Sequence, residues 1–485
     1  MSDSTEHDGS ARSVGRSVSR VDGAAKVLGT AQYVDDLSAK DGELHGATVR
    51  SAVARGRIRG IAFDEALDWS GVTRVTAKDV PENIVQLIVD DQPVLADTVI
   101  HHVYEPIVLL ACEDRAKLAD ACAAVTIDVE PLDAVLDIAS SLAAKTVVSG
   151  EDNVQTRYLI TKGAADSEDS ETKIDEALAA CEVVVTGEYS SHHQEQLYIE
   201  TQGMLAWWDE AGVHVIGSLQ CPYYVHKGFK RAFGLEGDAI HVTQAVTGGG
   251  FGGKEEYPTI IALHAALLAK KSGRHVRMIY DRTEDIQATT KRHPAACEIS
   301  TGCDRDGRLR VLKMRAVFDA GAYVTLTPVV LSRGVLHAGG AYSWQDARIE
   351  GLSVTTNTPP NGAFRGFGAP QTIWAIERHL DRVARELGRD PAELKRQNLL
   401  VEGDTTATGQ VLRGSVGGEE CADKAFASSD YFAKRAAGPV IEGRKARGIG
   451  ASLFMHGGGF TGSGERMLKG RVAVDLQAGG RLLIR

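Results

Sequence analysis

Nine consecutive residues, Thr247-Gly248-Gly249-Gly250-Phe251-Gly252-Gly253-Lys254-Glu255, hold five glycines, one aromatic ring, one cation and one acid. Such a run bares backbone N–H groups and can form a concavity for phosphate or another oxyanion. Gly248, Gly250 and Gly253 satisfy the G-x-G-x-x-G pattern between a strand-like run (240–246) and a helix-like run (258–270). A dinucleotide site also needs an acid ~20 residues further on. Beyond Glu256 the next acid is Asp281. Gly248 and Gly253-Lys254 match the P-loop spacing too, yet Glu255 stands where a Ser or Thr must hold Mg²⁺. Both nucleotide readings are therefore weak. What survives is a loop that offers backbone donors to a bulky anionic ligand, against the alternative of a tight turn without one.

A second constellation runs from Asn357 to Gln371 and contains Pro359-Pro360-Asn361-Gly362-Ala363-Phe364-Arg365-Gly366-Phe367-Gly368. An arginine between turn formers can offer a planar donor fork to phosphate or to an anionic ring. Strand-like alternation would point Arg365 and Phe367 the same way, setting an aromatic face beside that fork. The alternative is a surface arginine on an irregular loop.

Elements must position these loops. From residue 21 to about 132 the pattern is α+β, with β-like runs at 30–34 and 125–129 and a helical run at 115–124. Residues 140–172 turn polar and acidic and read as a surface connection. A denser unit follows to about Leu400, with helices expected at 174–180 and 372–387 and strands at 182–189 and around Trp207-Trp208. Residues 402–445 read as a second connection. The end, 472–484, predicts a hairpin about the turn 477–480. A hairpin alone is marginal in water, so the expectation is that either something else completes this third unit or the end frays.

Composition limits the function. The 485 residues carry a formal charge of −11, which argues against a surface for nucleic acid or anionic membrane. The seven cysteines form no C-x-x-C pair, so neither a disulfide framework nor a cysteine-ligated cluster is expected on this chain. No signal peptide or membrane span is evident. A cytoplasmic protein with a loose N-terminal tail is the expectation.

Four segments in order make the chain recognisable. They are Arg20-Val21-Asp22-Gly23 to Gln32-Tyr33, Gln194-Glu195-Gln196-Leu197-Tyr198-Ile199-Glu200-Thr201, the Gly248-to-Glu255 loop, and Ala363-Phe364-Arg365-Gly366-Phe367-Gly368. Together they closely resemble the molybdenum-cofactor subunit of the xanthine dehydrogenase/aldehyde oxidase family, over nearly the whole chain. The resemblance implies an α+β protein in this order: a tail (1–19), an α/β hammerhead domain (20–132), a connection (133–172), the first molybdopterin-binding domain (173–400), a second connection (401–445) and the start of a second molybdopterin-binding domain (446–485).

It also implies the chemistry. The family hydroxylates N-heterocycles and aldehydes with oxygen from water, using molybdenum–molybdopterin, with the cytosine dinucleotide form as one option. Electrons leave through [2Fe–2S] clusters and FAD, here expected on partner iron–sulfur and FAD subunits. By resemblance, Gln220, Phe251, Gly252 and Arg365 line the cofactor, with Gln220, Phe251 and Arg365 around the molybdenum but none ligating it. Glu255 and Arg333 match the acid and arginine that bind and activate a purine; Phe367 and Phe460 match the stacking aromatics, with Thr461 beside. Aldehyde-oxidising members generally lack the Glu/Arg pair, so a purine such as hypoxanthine or xanthine is the implied substrate. An aldehyde, another N-heterocycle or an inactive relic are the alternatives.

The family's Gly-Gln-Gly motif and its Gly-x-Gly-Glu general base come later than Arg485. Gly462-Ser463-Gly464-Glu465 comes too early to be that base. The expectation is a subunit completed by a second chain, or a truncated product, inactive alone either way.

Overall fold

The computed structural model describes residues 15, 17–459 and 472–484. Two large sheets dominate. One has seven strands in the spatial order Ile240–Gln244, Gly212–Gly217, Gly203–Asp209, Val276–Ile279, Leu44–Arg50, Pro106–Cys112 and Thr73–Thr76. Its centre joins distant parts of the chain, because Leu44 pairs in parallel with Val276. The unit expected at 20–132 therefore lends three strands to a sheet whose other four come from 203–279.

The helix Pro258–Ser272 covers this sheet, and every residue from Pro258 to Ala269 is buried. A helix that is apolar all round must be buried all round. Proline at its first turn and Gly273 in the left-handed region at its end set its limits. It begins directly after the glycine loop and so fixes where that loop ends.

The second sheet orders Val154–Lys162, Asp346–Thr355, Leu309–Gly321, Ala295–Cys303 and Val183–Ser191. The helices Thr327–His337 and Ala369–Glu386 pack on it through a core that includes Phe318, Leu331, Val335, Ile376 and Leu380. These two helices flank the Arg365 segment. A three-stranded sheet, Val99–Ile100, Gly56–Phe63 and Val125–Pro131, completes the N-terminal part. The mixture is α+β. Among the described residues no helix is long and apolar enough to cross a membrane.

Three local expectations need correction. Thr30–Tyr33 is not a strand, because the Thr30 and Ala31 amides close the helix Gly23–Val27 by bonding Ala25 O. The stretch 140–172 is only partly surface connection: Val154–Lys162 pairs along Asp346–Thr355 at the sheet edge, where polar and β-branched residues are tolerated. The stretch 402–445 holds the helices Gly418–Ser429 and Tyr431–Ala436, anchored through Ala422, Phe426 and Tyr431. The terminal hairpin forms as expected, Val474–Leu476 against Leu482–Ile484.

Candidate functional site

Two loops from opposite sheets meet at the site. In the glycine loop Gly249, Phe251 and Gly252 have φ of +99°, +52° and +101°. A Cβ on Gly252 would lie 2.6 Å from the Ala363 carbonyl, and one on Gly250 would lie 2.4 Å from Gln220 Oε1. The glycines thus allow close approach first between protein segments: loop against loop, and loop against Gln220. Phe251 holds a left-handed conformation that bulky residues avoid, and the residue is 47% exposed. Strain of this kind collects at ligand sites.

Gln220 follows the strand Gly212–Gly217. Its Oε1 accepts from the amides of Gly252 (3.0 Å) and Lys254 (3.3 Å). Two donors on the oxygen fix the side-chain amide of this exposed residue.

Below the loop lies a network that sequence reasoning missed. The fully buried Lys254 ammonium donates to Glu200 O (2.7 Å), Glu200 Oε2 (2.9 Å) and Ser218 Oγ (2.9 Å), and sits 4.6 Å over the Tyr198 ring. Glu200 Oε2 also accepts from the Gly248 amide at 2.6 Å. Lys254 is therefore turned inward as an anchor and is not a phosphate-binding lysine, which removes the P-loop reading. The only sequence signal was Glu200 and Lys254 themselves, 54 residues apart and without a pattern.

The opposing turn carries Arg365. Its amide donates to Phe251 O at 2.9 Å, so the two loops are hydrogen-bonded to each other. Ala363 O accepts from Gln196 Nε2, and the Arg292 guanidinium lies 3.9 Å over Phe364. Strand-like alternation does not apply: Gly366, Phe367 and Gly368 all have positive φ, in a turn. Arg365 is exposed on the loop surface, whereas Phe367 folds back against the helix Thr327–His337. The tight fit there shows at Gly368, whose Cβ would fall 2.0 Å from Val330 O.

On that helix, Arg333 sets its guanidinium carbon 5.2 Å from the Phe367 ring centroid. Glu255 lies within its electrostatic reach. Burial pushes the Glu255 carboxyl up, and the charge of Arg333 opposes that rise. The structure thus brings together Gln220, Phe251, Gly252, Glu255, Arg333, Arg365 and Phe367. Phe460, Thr461 and the 462–465 segment lie outside the described residues.

Glu256, also missed, faces the other way. It is buried, and its Oε1 accepts from the Ala363 amide at 3.0 Å, tying the second loop to the first. Burial first, and then Glu255, push its carboxyl up to about 7. A carboxyl raised above its unfolded value of 4.5 favours folding below that pH and loses the benefit as pH rises through about 7. Glu256→Gln keeps the acceptor and removes the charge. Its melting temperature should therefore exceed wild type at about pH 8 and converge with it at about pH 5; a parallel offset at both would contradict a titrating Glu256.

The lining fits a pterin-bound metal group: the exposed Gln220 and Arg365 lie at a loop in which the Gly248, Gly252, Gly253, Lys254 and Glu255 amides are bonded within the protein and those of Gly249, Gly250 and Phe251 have no protein acceptor among the described residues. Among the described residues no group of His, Cys, Asp or Glu is placed to hold a metal directly.

Known proteins share these two domains and this fold. The family described as "Molybdopterin cofactor-binding domain" matches residues 156–399, and "Aldehyde oxidase and xanthine dehydrogenase, a/b hammerhead domain" matches 28–133. The nicotinate dehydrogenase large molybdopterin subunit of Eubacterium barkeri is 31% identical over 416 residues, 85% of this chain and 95% of that subunit. A probable xanthine dehydrogenase subunit of Bacillus subtilis is 34% identical over 444 residues, 91% of this chain but 57% of that one. The solved aldehyde oxidoreductase from Desulfovibrio gigas superposes with a TM-score of 0.77 at 28% identity, over 86% of this chain and 46% of that chain. This chain thus spans nearly all of the first relative and only about half of the other two.

Proposed function

The chain belongs to the xanthine dehydrogenase/aldehyde oxidase family of molybdenum hydroxylases, and from that premise we propose that it binds the molybdenum–molybdopterin cofactor and a purine such as xanthine or hypoxanthine. Two of its relatives are named as subunits, which supports work inside a multi-chain assembly; iron–sulfur and FAD chains and a further molybdopterin-binding chain are the partners that the family resemblance implies. Bound, the cofactor supplies two-electron oxidation in which water provides the oxygen. Gln220, Phe251 and Gly252 would line the cofactor side, with Arg365 beside them.

The observation that carries the purine reading is the Glu255–Arg333–Phe367 arrangement. Phe367 offers a face for a flat ring, and ring stacking is worth ~1 kcal/mol beyond burial. Arg333 supplies a fixed positive charge where negative charge builds on the ring during attack. A buried carboxylate is costly unless something donates to it, and a purine N–H can do so. Glu255 therefore orients the ring.

Glu255→Val tests this in the molybdenum-loaded assembly. Purine kcat/KM should fall, while oxidation of benzaldehyde, which lacks such a donor, stays or improves. An unchanged ratio of the two, within a factor of about two or ~0.5 kcal/mol, would mean that Glu255 does not read the ring.

A second reading has its own support: the relative covered over 95% of its length is named a nicotinate dehydrogenase. A pyridine carboxylate would pair with Arg333 and meet a Glu255 whose burial favours its neutral form. Turnover of nicotinate but not xanthine by the wild-type assembly would select it.

A further inference from the structure

His337 lies one helical turn beyond Arg333, and both of its ring nitrogens are engaged. Nδ1 is 2.7 Å from Arg333 O, and Nε2 is 3.0 Å from the Gly457 amide. An amide can only donate, so Nε2 accepts; a carbonyl can only accept, so Nδ1 donates. The ring is thereby fixed as one neutral tautomer. His456 stacks on it, with centroids 4.6 Å apart and planes 20° from parallel. The nitrogens of His456 face Gly457 O at 2.9 Å and Gly366 O at 3.4 Å.

Two imidazoles thus join three segments: the Arg333 helix, the Arg365–Phe367 turn and the strap 449–459. Upstream, the strap is already secured by Lys395 Nζ to Ala451 O (3.1 Å) and Leu453 N to Glu377 Oε2 (3.0 Å). His337 fastens its far end, beside the arginine it serves.

We propose that His337 is a positioning residue. By bonding Arg333 O and the Gly457 amide at once, it locks the last turn of the Arg333 helix to the strap and keeps that guanidinium seated on Phe367. The role rests on Arg333 acting in turnover as proposed above.

Protonation would undo the lock, because a proton on Nε2 would oppose the Gly457 N–H. The charged and titratable groups that act on this ring are Arg333, on its own helix, and His456, on the strap. Burial first, with the charges of His456 and Arg333 adding to it, holds the His337 pKa below its ordinary value against the bond to Arg333 O, which raises it. The lock is therefore intact at neutral pH and is lost as pH falls through that lowered value.

The test compares two variants in the molybdenum-loaded assembly. His337→Phe keeps a stacking ring and removes both hydrogen bonds; His337→Gln keeps a donor and an acceptor. The Phe variant should lower purine kcat about tenfold, ~1.4 kcal/mol, with little change in KM, and Gln should recover most of the loss. In an Arg333→Met background His337→Phe should cost nothing further, since neighbours acting as a unit are not additive. The acid limb of wild-type kcat should vanish in the Phe variant. Amide exchange across 449–459 should accelerate at neutral pH in the Phe variant, a readout that needs no turnover. If His337→Phe does not fold, Gly457→Pro deletes the donor from the other side and should reproduce the kcat loss.

Wild-type kcat in the folded variant, an equal loss in the Arg333→Met background, or unchanged exchange across 449–459 would each overturn the proposal. Absence of purine turnover in the wild type would overturn the purine reading alone, with the exchange experiment still reporting on the lock.

Discussion

Gly252→Val is expected to yield folded protein whose assembly contains almost no molybdenum. At φ +101° a β-branched residue is strained whatever space surrounds it. Here there is no space, because the new Cβ would lie 2.6 Å from Ala363 O and 2.9 Å from Phe364 Cα. The two loops must separate, which breaks the Arg365 N to Phe251 O bond and pulls Gly252 N from Gln220 Oε1. That displaces Gln220, Phe251 and Arg365, three of the residues assigned to the cofactor. The helix Pro258–Ser272 and both sheets lie behind the loops and should persist. The check is metal content per chain beside a far-ultraviolet circular dichroism spectrum. Full molybdenum occupancy in a folded variant would show that loop contact is not what shapes the cradle.

Arg333→Met is expected to slow purine hydroxylation by ~10²–10³, with molybdenum content unchanged. Methionine keeps the length and much of the apolar contact with Phe367, so the lost element is the charge. A donor that acts mainly as charge develops should show its loss in kcat more than in KM. The measurement is steady-state turnover of xanthine at equal molybdenum loading. A variant with wild-type kcat would remove Arg333 from the chemistry.

The site was legible in sequence wherever chemistry and turn formers coincide. The glycine loop and the Ala363–Gly368 turn declare themselves by composition, and the helices that flank them by apolar spacing. Arg333 is different: Leu331-Ser332-Arg333-Gly334 has no pattern of its own, and only resemblance to a family singled it out. Glu256 and Lys254 were hidden because neighbouring acids and cations in a glycine-rich run carry no mark of which face they take. The structure leaves Glu255 under the charge of Arg333 and turns Glu256 toward Ala363.

Longer-range organisation was less visible. Leu44 and Val276 pair across more than two hundred residues, and no local periodicity announces such a partner. The helix Gly418–Ser429 buries only Ala422 and Phe426, four residues apart, too few positions to raise a helical stripe above a polar background. The Arg365–Phe367 expectation failed for a related reason. Alternation presumes extended backbone, and glycines on both sides of Phe367 instead let the chain turn.

As proposed, this chain holds the cofactor and a purine together. The most direct test is xanthine turnover by the purified, molybdenum-loaded assembly in water enriched in ¹⁸O. The product should be a hydroxylated purine that carries label from water, and it should be lost when Arg333 is replaced by Met. A fully loaded assembly that oxidises benzaldehyde or nicotinate but leaves every purine untouched would contradict the proposal.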